Sequence, residues 1–220
     1  MERVMIEAGT HRLEAVLNLR DGAEAVVLCH PHPLYGGAMD TPLLLALERL
    51  YGEMGWGTVR FNFRGVGRST GAYGGGDGEA EDVLAVCRYL AQRGCVQVHL
   101  AGYSFGAWVA LKACAAGLDP AALVLVSPAV TFLDFRSLSL PDRPSLVIVG
   151  DQDTFAVVDQ VRSWHERSRP RNAVCRLEVV PGCDHFYWGK EGEVTSRVRA
   201  FLESWRVAPH HWAASRGEQI

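Results

Sequence analysis

The sequence predicts an α/β fold: a mainly parallel, doubly wound sheet covered by helices on both faces, with an antiparallel edge at the N-terminus. Three observations carry this expectation. Short continuous runs of Val, Leu and Ile alternate along the chain with amphipathic stretches of helix length, the pattern of parallel strands buried on both sides. The opening segment, MERVMIEAGTHRLEAVLNL, instead alternates apolar and polar residues around Gly9-Thr10, as two short strands of a hairpin do. Finally, the apolar run VQVHLA passes through Gly102-Tyr103-Ser104-Phe105-Gly106 straight into a small-residue helical stretch, which marks a sharp strand-to-helix turn.

Each element can be justified in turn. After the hairpin, AVVLC (25–29) is a short apolar strand. A helix follows from Pro42 to Met54, with Thr41 as its cap, Pro42 in the first turn and Gly55 as its stop. GTVRFNF (57–63) is the next strand. Residues 79–93 carry acids in the first turn, Arg93 in the last and Gly94 beyond, with Val83, Val86, Cys87 and Leu90 on one face, so they form an amphipathic helix. The strand and helix around Ser104 come next. ALVLVS (122–127) and SLVIVG (145–150) are buried strands, 155–168 is helical, CRLEVV (175–180) is a strand and 189–205 is a closing helix. No internal repeat or linker interrupts the series, which gives a single domain over residues 1–206 and a polar, aperiodic tail over 207–220.

Composition narrows the classes of function. A chain of 220 residues that is 48% hydrophobic and 21% charged suits one globular domain. Its net charge of −3 and isoelectric point near 6.2 give no electrostatic footprint for nucleic acid or an anionic membrane, so neither is an expected partner. No apolar stretch approaches the roughly 20 residues that span a bilayer, and the acidic, alternating start does not resemble a signal peptide. Six cysteines are scattered without CxxC spacing, mostly inside predicted strands and helices, as free thiols of a reducing compartment are. The expectation is a soluble, cytoplasmic protein, as a monomer or homodimer.

Ligands of such sheets gather at the carboxyl ends of the strands. There the chain places His30-Pro31-His32-Pro33 after AVVLC, Arg64-Gly65-Val66-Gly67-Arg68-Ser69 after VRFNF, and Ser104 after VHLAG. Asp151-Gln152-Asp153 follows LVIVG, and Pro181-Gly182-Cys183-Asp184-His185 follows LEVV. A nucleophile, an acid and a histidine thus occur in chain order on successive strand ends, the arrangement in which histidine takes the serine proton and a carboxylate fixes the histidine tautomer. Gly67-Arg68-Ser69-Thr70-Gly71 fits the same Gly-x-Ser-x-Gly pattern but has no helix behind it, so context selects Ser104 over Ser69. The turn aims the Phe105 N–H and the start of its helix at the space above Ser104.

With these motifs the chain resembles the α/β-hydrolase superfamily over roughly residues 24–205. Within it, the chain is similar to small bacterial serine hydrolases in which a His-Pro-His-Pro-x-x-Gly-Gly loop (30–37) replaces the commoner His-Gly loop. The resemblance implies Ser104 as nucleophile, Asp153 as acid and His185 as base. It also implies an oxyanion hole built from the Phe105 N–H and one from the loop after Cys29, assigned to His32 because Pro31 and Pro33 have no N–H. Asp151 competes with Asp153 for the acid on the residues alone. Neither a cofactor nor a metal is implied.

The expected activity is hydrolysis of an ester or thioester of a small carboxylic acid through an acyl-serine. The stretch from 128 to 144, where many relatives insert a helical lid, has room for little more than a loop, so the cap should be minimal and the pocket open. Two rivals stand beside this reading: a peptidase or amidase with the same triad, and a noncatalytic binding protein on a hydrolase scaffold. The His30-x-His32 pair is of a kind that elsewhere ligates a transition metal, yet no third ligand cluster accompanies it. Arg64 and Arg68 read as braces of their loop, or as ligands for a substrate anion.

Overall fold

The computed structural model describes residues 1–20, 24–171 and 173–207. The expected hairpin is β1 (Glu2–Ala8) paired antiparallel with β2 (His11–Asn18), in a register that sets Val4 opposite Ala15 and Ala8 opposite His11. β2 in turn pairs antiparallel with β4 (Gly57–Phe61), which joins the hairpin to the rest of the sheet. From there all pairings are parallel: β4 to β3 (Glu24–Cys29), β3 to β5 (Gln97–Tyr103), then β6 (Leu123–Val126), β7 (Ser145–Gly150) and β8 (Cys175–Val180). The eight strands lie in the order β1-β2-β4-β3-β5-β6-β7-β8.

Successive residues of each central strand feed opposite faces, as a period of two requires. Val26 and Leu28 of β3 join the cluster under α1 (Pro42–Glu53) and α5 (Glu191–Val207), with Leu47, Val198 and Phe201. Ala25, Val27 and Cys29 join the opposite cluster, under α2 (Asp77–Gln92), α3 (Phe105–Ala115) and α4 (Val158–Ser168), with Val86, Phe105 and Trp164. Both faces are covered, and each buried Leu or Phe contributes about 1.5–3 kcal/mol of transfer free energy. Among the described residues no helix is long and apolar enough to cross a membrane.

The chain reverses its direction of growth between β3 and β5: β4 is laid down on one side of β3, and β5 returns to the other. This is the switch point at which crevices open at the carboxyl edge of such sheets. The connection from β6 to β7 contains turns and no helix, so the site end of the sheet carries only loops there.

Three of the boundaries that differ from the sequence expectation are set by polar side chains that capture backbone N–H groups. β4 stops at Phe61 because the Asn62 side chain turns into a buried network, accepting from the Met39 N–H and donating to Glu14. α2 begins two residues early because the Glu79 carboxylate reaches back to the N–H groups of Gly74 and Gly76. α4 begins at Val158 because the Asp153 carboxylate holds the N–H groups of Phe155 and Ala156 in a separate turn. A 3-10 turn over Pro33–Tyr35, not expected from the pattern, shapes the loop after β3. The closing helix reaches Val207, the first residue of the expected tail; residues 208–220 lie outside the described residues.

The long loop after β4 is anchored by a fully buried carboxylate. Asp82 accepts from the Arg64 N–H and from two nitrogens of its guanidinium, and its Oδ1 lies 2.8 Å from His11 Nε2. Removing the charge from one member of such a buried set leaves the other uncompensated. Asp82→Asn should therefore destabilise the protein by about 3 kcal/mol, measured as a lower urea midpoint at unchanged slope; an unaltered midpoint would mean that Asp82 does not anchor this loop.

Candidate active site

Ser104 caps β5 with φ 56° and ψ −114°, a left-handed conformation that costs a non-glycine residue on the order of 1–3 kcal/mol. The glycines on either side make that turn possible. A Cβ on Gly102 would lie 2.4 Å from the Gly106 carbonyl oxygen, and one on Gly106 would lie 2.2 Å from the Cys29 carbonyl oxygen. Helix α3 thus sits directly against the ends of β5 and β3, and the turn lifts the Ser104 hydroxyl out of the sheet.

The hydroxyl donates to His185 Nε2 at 2.9 Å. The other ring nitrogen, Nδ1, donates to Asp153 at 2.8 and 3.0 Å. Because an ionised carboxylate only accepts, this pairing puts the ring proton on Nδ1 and leaves the Nε2 lone pair facing the serine. All three residues are buried, at 5 to 7% exposure. Burial would raise the Asp153 pKa, but the hydrogen bond and charge of His185, with the Ser127 and Ala156 contacts, outweigh it and hold the carboxyl below its ordinary value. Asp151, two residues earlier, is exposed and accepts from the Gly182 N–H at 2.7 Å instead. Gly150 lets the loops after β7 and β8 meet, since a Cβ there would lie 2.2 Å from the Cys183 carbonyl oxygen.

Three residues that the sequence reading passed over complete the surroundings. Tyr103 donates its hydroxyl to the His185 carbonyl at 2.7 Å, and Ser127 lies 2.8 Å from the Tyr187 hydroxyl. The Ser127 hydroxyl also helps to keep Asp153 ionised, so this pair of hydroxyls stands behind the acid. Their only sequence signal is position: Tyr103 precedes Ser104, Ser127 follows β6 and Tyr187 follows the histidine by two.

Phe105 opens α3, so its N–H has no carbonyl one turn earlier in the helix; the Ser104 carbonyl takes Ala107 and Trp108 instead. Among the described residues the His32 N–H is likewise bonded to no other protein group, and the His32 ring packs 4.7 Å from that of Phe105. These two N–H groups are therefore free to meet an oxygen.

Other candidates take structural places. Ser69 donates to the Asn62 carbonyl and accepts from the Glu14 N–H, so its hydroxyl is committed within its own loop. Arg64 braces the same loop through Asp82, while the Arg68 side chain stays exposed. His30 is fully buried, donating from Nδ1 to the Pro31 carbonyl and accepting the Phe63 N–H at Nε2, which leaves neither nitrogen for a metal. Cys183 is buried, and burial pushes its thiol pKa up, so it stays protonated.

A parallel sheet whose carboxyl edge presents a serine on a strained strand-to-helix turn, hydrogen-bonded to a histidine, has the architecture of the α/β hydrolases. The chain belongs to the alpha/beta hydrolase family, whose model matches residues 26–146. It is similar to an alpha-beta serine hydrolase homologue from Coxiella burnetii, at 34% identity, covering 91% of this chain and 97% of that one with a TM-score of 0.83. A Xanthomonas campestris protein described as an a/b serine hydrolase without lid is 30% identical over 95% of this chain and 96% of its own, with a TM-score of 0.84. An uncharacterized protein of Rickettsia prowazekii is 29% identical over 196 residues, 86% of this chain and 82% of the relative.

The buried His30 makes the site loop sensitive to acid. Desolvation lowers its pKa from 6.5 to about 4, against the Pro31 hydrogen bond and with a small contribution from His32. Above pH 6.5 the ring is neutral both folded and unfolded; between 6.5 and 4 the unfolded chain binds a proton that the folded chain refuses. Stability should therefore fall over that window by up to about 3 kcal/mol. Urea unfolding at pH 7, 5.5 and 4.5 should show a steeper decline in the wild type than in His30→Gln, and parallel declines would contradict the assignment.

Proposed function

We propose that this protein is a serine hydrolase that cleaves esters or thioesters of small carboxylic acids. The observation that carries the reading is the unbroken chain from Ser104 through His185 to Asp153, at 2.9 and 2.8 Å, at the switch point of the sheet. The similarity to serine hydrolase homologues, one of them without a lid, supports it.

In this mechanism His185 Nε2 takes the Ser104 proton as the serine oxygen attacks the carbonyl carbon. The negative charge that develops on the carbonyl oxygen meets the N–H groups of Phe105 and His32, fixed dipoles that need no reorganisation at the moment of reaction. Collapse of the tetrahedral intermediate breaks the bond to the alcohol or thiol, which leaves with the proton from His185. Water, deprotonated by the same nitrogen, then attacks the acyl-serine and releases the acid. Asp153 stays ionised throughout and stabilises the imidazolium that forms twice per turnover.

Ser104→Ala should lower kcat by on the order of 10⁴ to 10⁶ with the fold intact, His185→Ala by a similar factor and Asp153→Asn by less. A fluorophosphonate probe should label the wild type and spare Ser104→Ala. Ser69→Ala should keep its activity while losing some stability, because its hydroxyl serves the loop. Labelling that persists in Ser104→Ala and vanishes in Ser69→Ala would reverse the assignment.

The open loop between β6 and β7 bears on substrate size. Without a cap helix, little enclosed apolar surface is available to gain the roughly 0.8 kcal/mol per methylene that a long acyl chain offers. For soluble p-nitrophenyl esters kcat/KM should peak at about two to six acyl carbons and then decline. A steady rise through twelve carbons, below the onset of micelles, would refute this.

A further inference from the structure

The exposed large apolar side chains are concentrated at one end of the molecule. Of nine such residues among the described ones, six stand on loops at the carboxyl edge of the sheet: Leu34, Tyr35, Phe132, Phe155, Phe186 and Trp188. The two core clusters close without any of these six, so the fold does not explain them.

Two of the rings stand against the histidine, and a third packs on one of them. Phe155 lies 4.8 Å from the His185 ring, centroid to centroid, and 5.1 Å from Phe132. Phe186 stands edge-on, 5.6 Å from His185 and 6.3 Å from Phe155. Phe132 and Phe186 are more than half exposed, at 65 and 52%, and Phe155 is 38% exposed, so all three present ring surface to solvent. The N–H groups assigned to the oxyanion come from Phe105 and His32, a different wall of the site, where rings of Tyr35 and Tyr73 neighbour His32 at 4.8 and 5.2 Å.

This division has a chemical consequence. The histidine must hand its proton to the departing oxygen, so the alcohol or thiol portion of the substrate lies beside His185 Nε2 when the bond breaks. The rings of Phe155 and Phe186, 4.8 and 5.6 Å from the ring that carries this nitrogen, are within reach of a bulky group bonded to the departing oxygen. We propose that Phe132, Phe155 and Phe186 form a leaving-group subsite for a flat aromatic group, so that the preferred substrates are small acyl esters of arylmethyl-type alcohols. The inference rests on the serine hydrolase reading above. A planar ring suits the position better than an aliphatic one of equal size, because it can adopt the offset and edge-to-face contacts at 4.5–7 Å that these rings already make among themselves.

The test compares benzyl acetate with cyclohexylmethyl acetate, alike in size and differing in flatness, by initial rates in a pH-stat. Both give the same acetyl-Ser104, so their difference belongs in kcat/KM, which reports the acylation step. In the wild type kcat/KM should favour benzyl acetate by about three- to tenfold, the range expected from one or two aromatic contacts. The ratio should fall toward one in Phe155→Leu, which keeps bulk but loses the ring, and in Phe132→Ala, which touches no member of the triad. A wild-type ratio near one, or a ratio unchanged in both variants, overturns the subsite while leaving the hydrolase reading intact. An aromatic preference found for ethyl phenylacetate over ethyl cyclohexylacetate, and absent from the acetate pair, assigns the rings to the acyl group and overturns it equally. If no ester turns over and the fluorophosphonate probe fails to label Ser104, the hydrolase reading falls, and this inference with it.

Discussion

The contact on which the rest depends is the close approach of Gly106 to the Cys29 carbonyl, where a methyl group would sit 2.2 Å from the oxygen. It brings the start of α3 against the end of β3, the strand on the other side of the switch point. Two consequences follow from that one approach. The Ser104 backbone takes its left-handed turn between β5 and α3, and the head of α3 packs against the loop that carries His32, with the His32 and Phe105 rings 4.7 Å apart. A side chain of any size at residue 106 would push α3 away from β3, so the placement of Ser104 beside the His32 loop is set by a single backbone contact.

Strain at the site is not confined to the serine. The non-glycine residues with positive φ among the described ones are Ser104, Ser127 and Tyr187, at 56, 45 and 53°. Ser104 bonds His185, and Ser127 and Tyr187 bond each other. Each costs on the order of 1–3 kcal/mol. The sheet holds the two serines, since Ser104 N–H bonds the Val126 carbonyl and Ser127 N–H the Ile148 carbonyl, extending the ladder one residue past each strand, while Tyr187 is held in its loop by the Asp184 carboxylate. The central strands are buried on both faces, so these ladder bonds are protected from water and the strained ends cannot relax without opening the core.

Much of this was legible in the sequence because it is written in local pattern. Alternation marked the two hairpin strands and apolar runs the other six, the helix stops at Gly55 and Gly94 fell where expected, and the context of Ser104 separated it from Ser69. Three of the boundaries moved because polar side chains capture backbone N–H groups: Asn62 that of Met39, Glu79 those of Gly74 and Gly76, and Asp153 those of Phe155 and Ala156. The buried carboxylates Glu14 and Asp82 were invisible because their partners, Asn62, Arg64 and Arg68, become neighbours only when β2, β4 and α2 assemble. In sequence Glu79 and Asp82 read as ordinary first-turn acids of an exposed helix end.

Those acids also show why the loop after β4 is ordered although it is rich in glycine. Flexible backbone loses about 1–2 kcal/mol of conformational entropy per residue on ordering, and apolar side chains are few in this segment. The compensation is electrostatic: Glu79 accepts two backbone N–H groups, Asp82 one backbone N–H and a guanidinium, and Glu14 the Arg68 N–H and the Asn62 amide. Charge-assisted bonds of this kind are roughly twice as strong as neutral ones, and burial shields them from salt. The ordered loop in turn places Tyr73 against His32, with ring centroids 5.2 Å apart and the Tyr73 hydroxyl 3.4 Å from His32 Nε2. Three carboxylates far from the serine in sequence thus reach the His32 loop beside it through one tyrosine ring, which ties the orientation of that loop to the folding of the antiparallel edge.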